Sequence, residues 1–201
     1  SDVHARCLRP VGRRDRVLGQ TLGEHVLVSR ATRSAVVLGP IDIELEPGEL
    51  VFLVGGNGSG KTTLAKMLTG LYAPEQGEVA IDGRPVTDET RDDYRQYFAA
   101  VFTDFHLFER LIGIEEADLD ERARLFISEL HLEHKVEVKD GQLSTTKLSY
   151  GQRKRLALLT SYLEDRPIYV FDEWASGQDP HFKEVFYLQL LPELKARGKT
   201  V

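Results

Sequence analysis

Residues 55–62 read Gly-Gly-Asn-Gly-Ser-Gly-Lys-Thr, a spacing of glycines that suits a backbone approaching an anion closely. Glycines let successive N–H groups turn into a concave site, and a helix starting there directs its positive end at the same charge. Lys61, at the close of the loop, is expected to reach the β- and γ-phosphates of a nucleoside triphosphate. The Thr62 hydroxyl is suited to the magnesium ion shared between those phosphates. The candidate nucleotide contacts are therefore Gly55, Asn57, Gly58, Ser59, Gly60, Lys61, Thr62 and Thr63.

A second constellation is Asp172-Glu173, directly after the apolar run 168–171. A carboxylate at the end of a buried strand beside the phosphate loop can hold magnesium through water, and Asp172 takes that role. Glu173, one residue on, is the candidate general base that polarises the attacking water, with Lys61 as its electrostatic counterpart on the phosphates. Taken alone, an acidic pair after a strand is as often a solvated surface feature; the phosphate loop upstream tips the balance. A third constellation, Leu-Ser-Tyr-Gly-Gln at 148–152, opens a helix with a serine hydroxyl and a glycine backbone, another start fit for an anion.

These groups need elements to carry them. The continuous apolar run 50–54 reads as a buried parallel strand leading into the phosphate loop, with a helix after it through Leu64, Leu68 and Leu71 that Pro74 and Gly77 end. Alternation at 25–28 and 41–45 gives a β-rich opening, and 78–81 followed by Asp82-Gly83 reads as a strand entering a hairpin. The charged stretch 109–147 reads as helical, with Leu125, Glu129, Leu130 and Glu133 at compatible spacings. Helical periodicity returns at 152–163, a strand follows at 168–171, and a last helix at 181–197 is expected to bend at Pro192 and end at Gly198.

Composition narrows the class further. With 201 residues, 41% hydrophobic and 29% charged, the chain is an ordinary globular sequence of one domain with an insertion. A net charge of -6 works against binding to nucleic acid, the basic cluster at 9–16 being the local exception. That cluster reads as a solvated terminus more readily than as a contact for anionic lipid. The single Cys7 offers no intrachain disulfide and fits a reducing compartment. No apolar run approaches the roughly 18 residues of a membrane span, so any membrane connection is expected to lie outside these residues.

The phosphate loop, the 148–152 segment and Asp172-Glu173, in that order and spacing, resemble the motifs of ABC ATPases, whose signature is normally Leu-Ser-Gly-Gly-Gln. The resemblance runs from about residue 40 to the end of the chain. It implies an α/β P-loop core with a mainly parallel sheet, an antiparallel β flank and an inserted helical subdomain at about 104–150. It also implies ATP and Mg2+ as ligands. Residues 1–24 become a lead segment, a linker from a membrane domain, and 25–201 the ATP-binding domain. In that family the signature serine contacts ATP held by a second copy, which implies a homodimer with Ser149, Gly151 and Gln152 at the partner's nucleotide. Asp179, in Ser-Gly-Gln-Asp at 176–179, matches the segment through which two subunits communicate; an Asp-Pro turn before a helix is the plainer reading. The stretches 150–158 and 171–175 resemble the branch exporting cyclic peptides and siderophores, in which the membrane domain precedes the ATPase in one polypeptide at the bacterial inner membrane.

Three departures from the family pattern stand out. Residues 26–51 contain no aromatic to stack on adenine; Arg33 offers a guanidinium plane instead, although a solvated arginine is its more ordinary reading. Thr103 stands where the family places a magnesium-sensing glutamine, and its shorter hydroxyl is expected to reach the ion only through water. The family's switch histidine would follow Val201, and His106, His131, His134 and His181 read as surface or packing residues, so weak turnover is expected of these 201 residues alone. Two other readings compete: a soluble ABC ATPase of DNA, ribosome or cluster-assembly machinery, and a regulatory module clamped by ATP without hydrolysis. Intact Glu173 argues against the second.

Overall fold

A computed structural model of the chain describes residues 4–7, 22–26, 38, 41–111 and 118–201. The phosphate-loop strand is β4 (Val51–Val54); against the expectation of a buried parallel strand, its ladder partner is β1 (His4–Cys7), antiparallel with Cys7 opposite Val51, and residues 51–53 are half-buried with Val54 exposed. Part of the lead segment thus joins the ladder that carries the loop. β2 (Leu22–Val26) pairs antiparallel with β3 (Ile41–Leu45), which alternates half-buried Ile41, Ile43 and Leu45 with exposed Asp42 and Glu44, the period of a sheet wet on one face. β2 covers the first half of the strand expected at 25–28; residues 27–28, Arg33 and the basic cluster 9–16 lie outside the described residues.

β7 (Phe98–Val101) and β10 (Ile168–Phe171) run parallel, with Phe171 opposite Val101. Thr200 and Val201 knit β10 to β4. Tyr169 N–H donates to Thr200 C=O at 2.8 Å, Val51 N–H to Val201 C=O at 2.7 Å, and Val201 N–H to Glu49 C=O at 2.8 Å. The short hairpin β5 (Ala80–Ile81) and β6 (Arg84–Pro85) turns through Asp82 and Gly83, whose φ of 52° and 71° are the left-handed pair that a two-residue hairpin demands.

α1 (Lys61–Leu68) buries Ala65, and buries Leu64, Met67 and Leu68 in a cluster with Leu38, Val79 and Tyr94. It ends earlier than expected. Gly70, at φ 71°, closes it by donating to Met67 C=O, leaving Leu71 exposed rather than on the helical stripe. A Cβ on Gly70 would stand 3.0 Å from the ring of Tyr94, a residue of α2 (Arg91–Arg95), whose Arg95 also grips Gly70 C=O. The larger core cluster lies among α3 (Leu119–Glu129), α4 (Tyr150–Glu164), β7, β10 and the last helical stretch. α4 buries Leu156, Leu158, Leu159, Tyr162 and Leu163, so its second half is buried nearly all round.

Two segments depart from expectation. Among the described residues the insertion is helical only at α3, whose buried face is Ala123 and Ile127 while Leu125 points to solvent. After α3 comes a hairpin, β8 (Val138–Lys139) and β9 (Gln142–Leu143), whose turn is held by the Asp120 carboxylate accepting from Asp140 and Gly141 N–H at 2.7 and 2.8 Å. The last helix is α5 (Pro180–Val185), a π-helical stretch (Phe186–Leu190) and α6 (Leu191–Ala196). The wider π turn comes just before Pro192 and accommodates its missing N–H, and Gly198 at φ 75° caps the end as expected.

Asp179 caps α5. One carboxylate oxygen accepts from Phe182 N–H at 2.9 Å and the other pairs with Arg155. The Phe182 N–H bond, followed by Arg155, holds its carboxyl below the ordinary value of 3.8. A depressed carboxyl stabilises the fold above its unfolded pKa and loses that contribution as pH falls through the folded value. Asp179→Asn, which keeps the cap but not the charge, is expected to lower Tm by about 1–3 °C at pH 7, the deficit persisting down to pH 3.8 and shrinking only as thermal melts are taken below it. Gly70→Ala is expected to cost about 1–2 kcal/mol, read as a lower urea midpoint at unchanged m.

Candidate functional site

The loop after β4 is shaped by two left-handed glycines, Gly58 at φ 74° and Gly60 at φ 96°. A Cβ at Gly58 would meet nothing within 4 Å, so backbone conformation, not crowding, calls for glycine there. Gly60 is the N-cap of α1 and no side chain caps the helix start, which leaves the first N–H groups to face an anion. Lys61 Nζ donates to Gly55 and Gly56 C=O at 2.9 and 3.0 Å, so the cation lies folded over the loop it closes. The Ser59 hydroxyl is buried without a partner, an orphaned polar atom inside the loop. Asn57 is exposed and Thr63 half-buried on the first turn of α1.

The sheet brings the second constellation to this loop. Asp172 is 7% exposed, its N–H donates to Val101 C=O at 3.0 Å, and its carboxylate accepts from the Thr62 hydroxyl at 3.1 and 2.9 Å. A hydroxyl and a carboxylate side by side are the hard oxygen donors that a magnesium ion takes. Among the described residues no group of three or more His, Cys, Asp or Glu could hold a metal alone, so an ion here would draw its other ligands from phosphate and water. Thr103 stands two residues beyond the end of β7, the strand beside β10, and is half-buried. Glu173 is exposed, and its φ of 48° is left-handed, a conformation that costs a non-glycine residue about 1–2 kcal/mol and turns the chain out of β10.

The start of α4 is a complete capping box. Ser149 Oγ accepts from Gln152 N–H at 3.4 Å and Gln152 Oε1 from Ser149 N–H at 3.1 Å. Gly151 lies against the 176–179 turn: Gln178 Nε2 donates to Gly151 C=O at 3.0 Å, and a Cβ on Gly151 would sit 3.5 Å from Gln178 Oε1. Arg155 donates to Gln178 Oε1 at 3.2 Å, pairs with Asp179, and lays its guanidinium 3.9 Å from the centroid of Phe182. The Asp179 carboxylate is therefore engaged within its own chain.

Sequence reasoning passed over Lys154 and Trp174 as individuals. Lys154 is 1% exposed and donates to Glu173 C=O at 3.0 Å and Ser176 C=O at 2.9 Å, while Trp174 Nε1 donates back to Lys154 C=O at 3.1 Å. The available signal was a charge at i−4 and i−8 from Leu158 and Tyr162, on the buried face of α4. The four histidines behave as expected. His106 packs edge-on against Phe108, His131 sits by His181 and Phe182, and all four, His134 included, are exposed.

Comparison with known proteins agrees with this geometry. The family model "ABC transporter" matches residues 38–176. The chain is 57% identical over 171 residues to "ATP-binding protein SyrD" of Pseudomonas syringae pv. syringae, covering 84% of the chain and 30% of that protein. It is 34% identical over 200 residues to an "ATP-dependent lipid A-core flippase" of Ralstonia nicotianae, covering 92% and 33%. The chain thus spans about a third of the length of these curated relatives. Among solved structures, a bacterial Atm1-family ABC exporter with ATP bound superposes with TM-score 0.72 at 20% identity, over 90% of this chain and 34% of that one. An ATP-binding subunit of an ABC transporter superposes with TM-score 0.66 at 24% identity, over 91% and 77%. Those two show the fold; the family match and the closer relatives go further, and by them the chain belongs to the ABC transporter family as an ATP-binding domain.

Proposed function

We propose that this chain hydrolyses ATP to ADP and phosphate to drive export of a cyclic or siderophore-type peptide across the bacterial inner membrane. In this reading two copies of the domain sandwich the nucleotides at the cytoplasmic face, each carried by a membrane domain in the same polypeptide. The observation that carries the ATPase part is the contact between Thr62 and Asp172, which joins the phosphate loop to the acidic pair. The export part is supported by relatives and a fold neighbour named for flipping or export. The peptide part is supported by the resemblance in 150–158 and 171–175, two stretches that interlock through Lys154 and Trp174. None of the described helices is long and apolar enough to cross a membrane.

In the proposed reaction Lys61 leaves the Gly55 and Gly56 carbonyls for the β- and γ-phosphates, and the N–H groups around Gly58 and Gly60 hold their oxygens. Thr62 and Asp172 would hold magnesium, with Thr103 reaching it through water; the ion supplies charge neutralisation at the phosphates. The Glu173 carboxylate accepts a proton from water as the water oxygen bonds to the γ-phosphorus. The bond to the bridging oxygen breaks, and ADP leaves with its electron pair. Ser149, Gly151, Gln152 and Asp179 would face the partner's nucleotide.

Glu173→Gln is expected to keep ATP affinity within about two-fold while lowering kcat by about 100-fold or more, measured by phosphate release beside binding of a fluorescent ATP analogue. Unchanged turnover would remove Glu173 as the base. Lys61→Ala is expected to weaken nucleotide binding itself by at least about ten-fold. In cells of the source organism the same allele should leave the peptide inside, by mass spectrometry of medium and pellet; normal secretion would reject the export reading.

A further inference from the structure

Lys154 holds no phosphate and faces no solvent, yet it is a buried cation on the helix that begins at Ser149. Among the described residues no carboxylate pairs with it. Its ammonium group is satisfied by the carbonyls of Glu173 and Ser176, with the Tyr150 ring 5.2 Å away. Burying an ammonium without a counter-ion is costly, so these carbonyls are held by a group with few other acceptors to choose from. What they hold is the strained turn. Glu173 sits at φ 48°, Ser176 N–H donates to Glu173 C=O at 2.9 Å, and the one ammonium closes on both carbonyls of that turn. From the other side Trp174 donates to Lys154 C=O and stacks on Phe186 at 4.2 Å, so the clasp is reciprocal.

We infer that Lys154 is a positioning residue for hydrolysis: by fastening the Glu173 and Ser176 carbonyls to α4 it fixes the left-handed backbone from which the Glu173 carboxylate is presented. This rests on the proposed role of Glu173 as general base and names the device that aims it. The device has a directional consequence. Lys154 lies five residues along the chain from Ser149, so whatever engages the start of α4 also bears on the backbone of the base.

The test is steady-state ATP hydrolysis with separate nucleotide binding in the full-length protein carrying this chain. Lys154→Met keeps the length of the side chain and removes its donors; Lys154→Arg keeps a donating cation. Lys154→Met is expected to lower kcat about ten-fold or more with ATP affinity within about two-fold, and Lys154→Arg to recover part of kcat. Added to Glu173→Gln, Lys154→Met is expected to lower turnover no further, because the aim of an absent base does not matter. Lys154→Met with wild-type kcat overturns the inference, as does a loss of ATP affinity as large as the loss of kcat, which would make Lys154 a stability residue only. Should Glu173→Gln itself turn over like wild type, the underlying reading of the base fails and the inference with it; an inactive Glu173→Gln beside a fully active Lys154→Met sinks the inference alone.

Discussion

The hydrogen bond from the Thr62 hydroxyl to the Asp172 carboxylate spans 110 positions of sequence, and it forms because the backbone bonds through Thr200 and Val201 tie β4 to β10. That alignment comes from backbone ladders. β7 fixes β10 in parallel register, and the bonds through Thr200 and Val201 fix β10 relative to β4. With the strands so held, each delivers its last residue to the same place: the loop after Val54 and the carboxylate after Phe171. The chemistry of the site then requires little further invention, since phosphoryl transfer is mainly placement and charge neutralisation.

Placement has a local cost that the fold has to meet. Gly58 and Gly60 reach left-handed conformations without penalty, whereas Glu173 does so as an ordinary residue. Glycine at 173 would relieve the strain but would leave no carboxylate. If Glu173 is the base, as proposed, the position would be a strained acid held by its neighbours, an ammonium on two carbonyls and an indole stacked in the core.

The parts of this arrangement that were legible in the sequence are those set by local physics. Asp82-Gly83 announced its hairpin because the turn residues themselves demand it, and the run before Asp172 announced a buried strand. By the same logic Asp140-Gly141, at φ 52° and 67°, marks the hairpin that a helical reading of the insertion passed over, because charged residues nearby suggested helix. β7 escaped notice since Ala99 and Ala100 lack the β-branched bulk that signals a strand. The early end of α1 was hidden for another reason. Gly70 stops it against Tyr94, a residue of a different helix, so the information is tertiary. The candidate site divides likewise: phosphate loop, capped Ser149 helix and acidic pair are contiguous motifs, whereas the contacts joining them are not.

Those contacts make one body of the 173–179 segment and the first turns of α4. Gly151 C=O, Lys154 and Arg155 on the helix meet Glu173, Trp174, Ser176, Gln178 and Asp179 on the segment, through side chains and carbonyls alike. A rigid link of this kind transmits displacement instead of absorbing it, because breaking it would strand a buried ammonium and a buried indole N–H. Asp179 illustrates the economy of the design. Its carboxylate caps α5 and pairs with Arg155, so a ligand or partner competing for either group would loosen the cap and the link together. In the proposed dimer such a link would make the event at the helix start and the aim of the proposed base, Glu173, one mechanical coordinate.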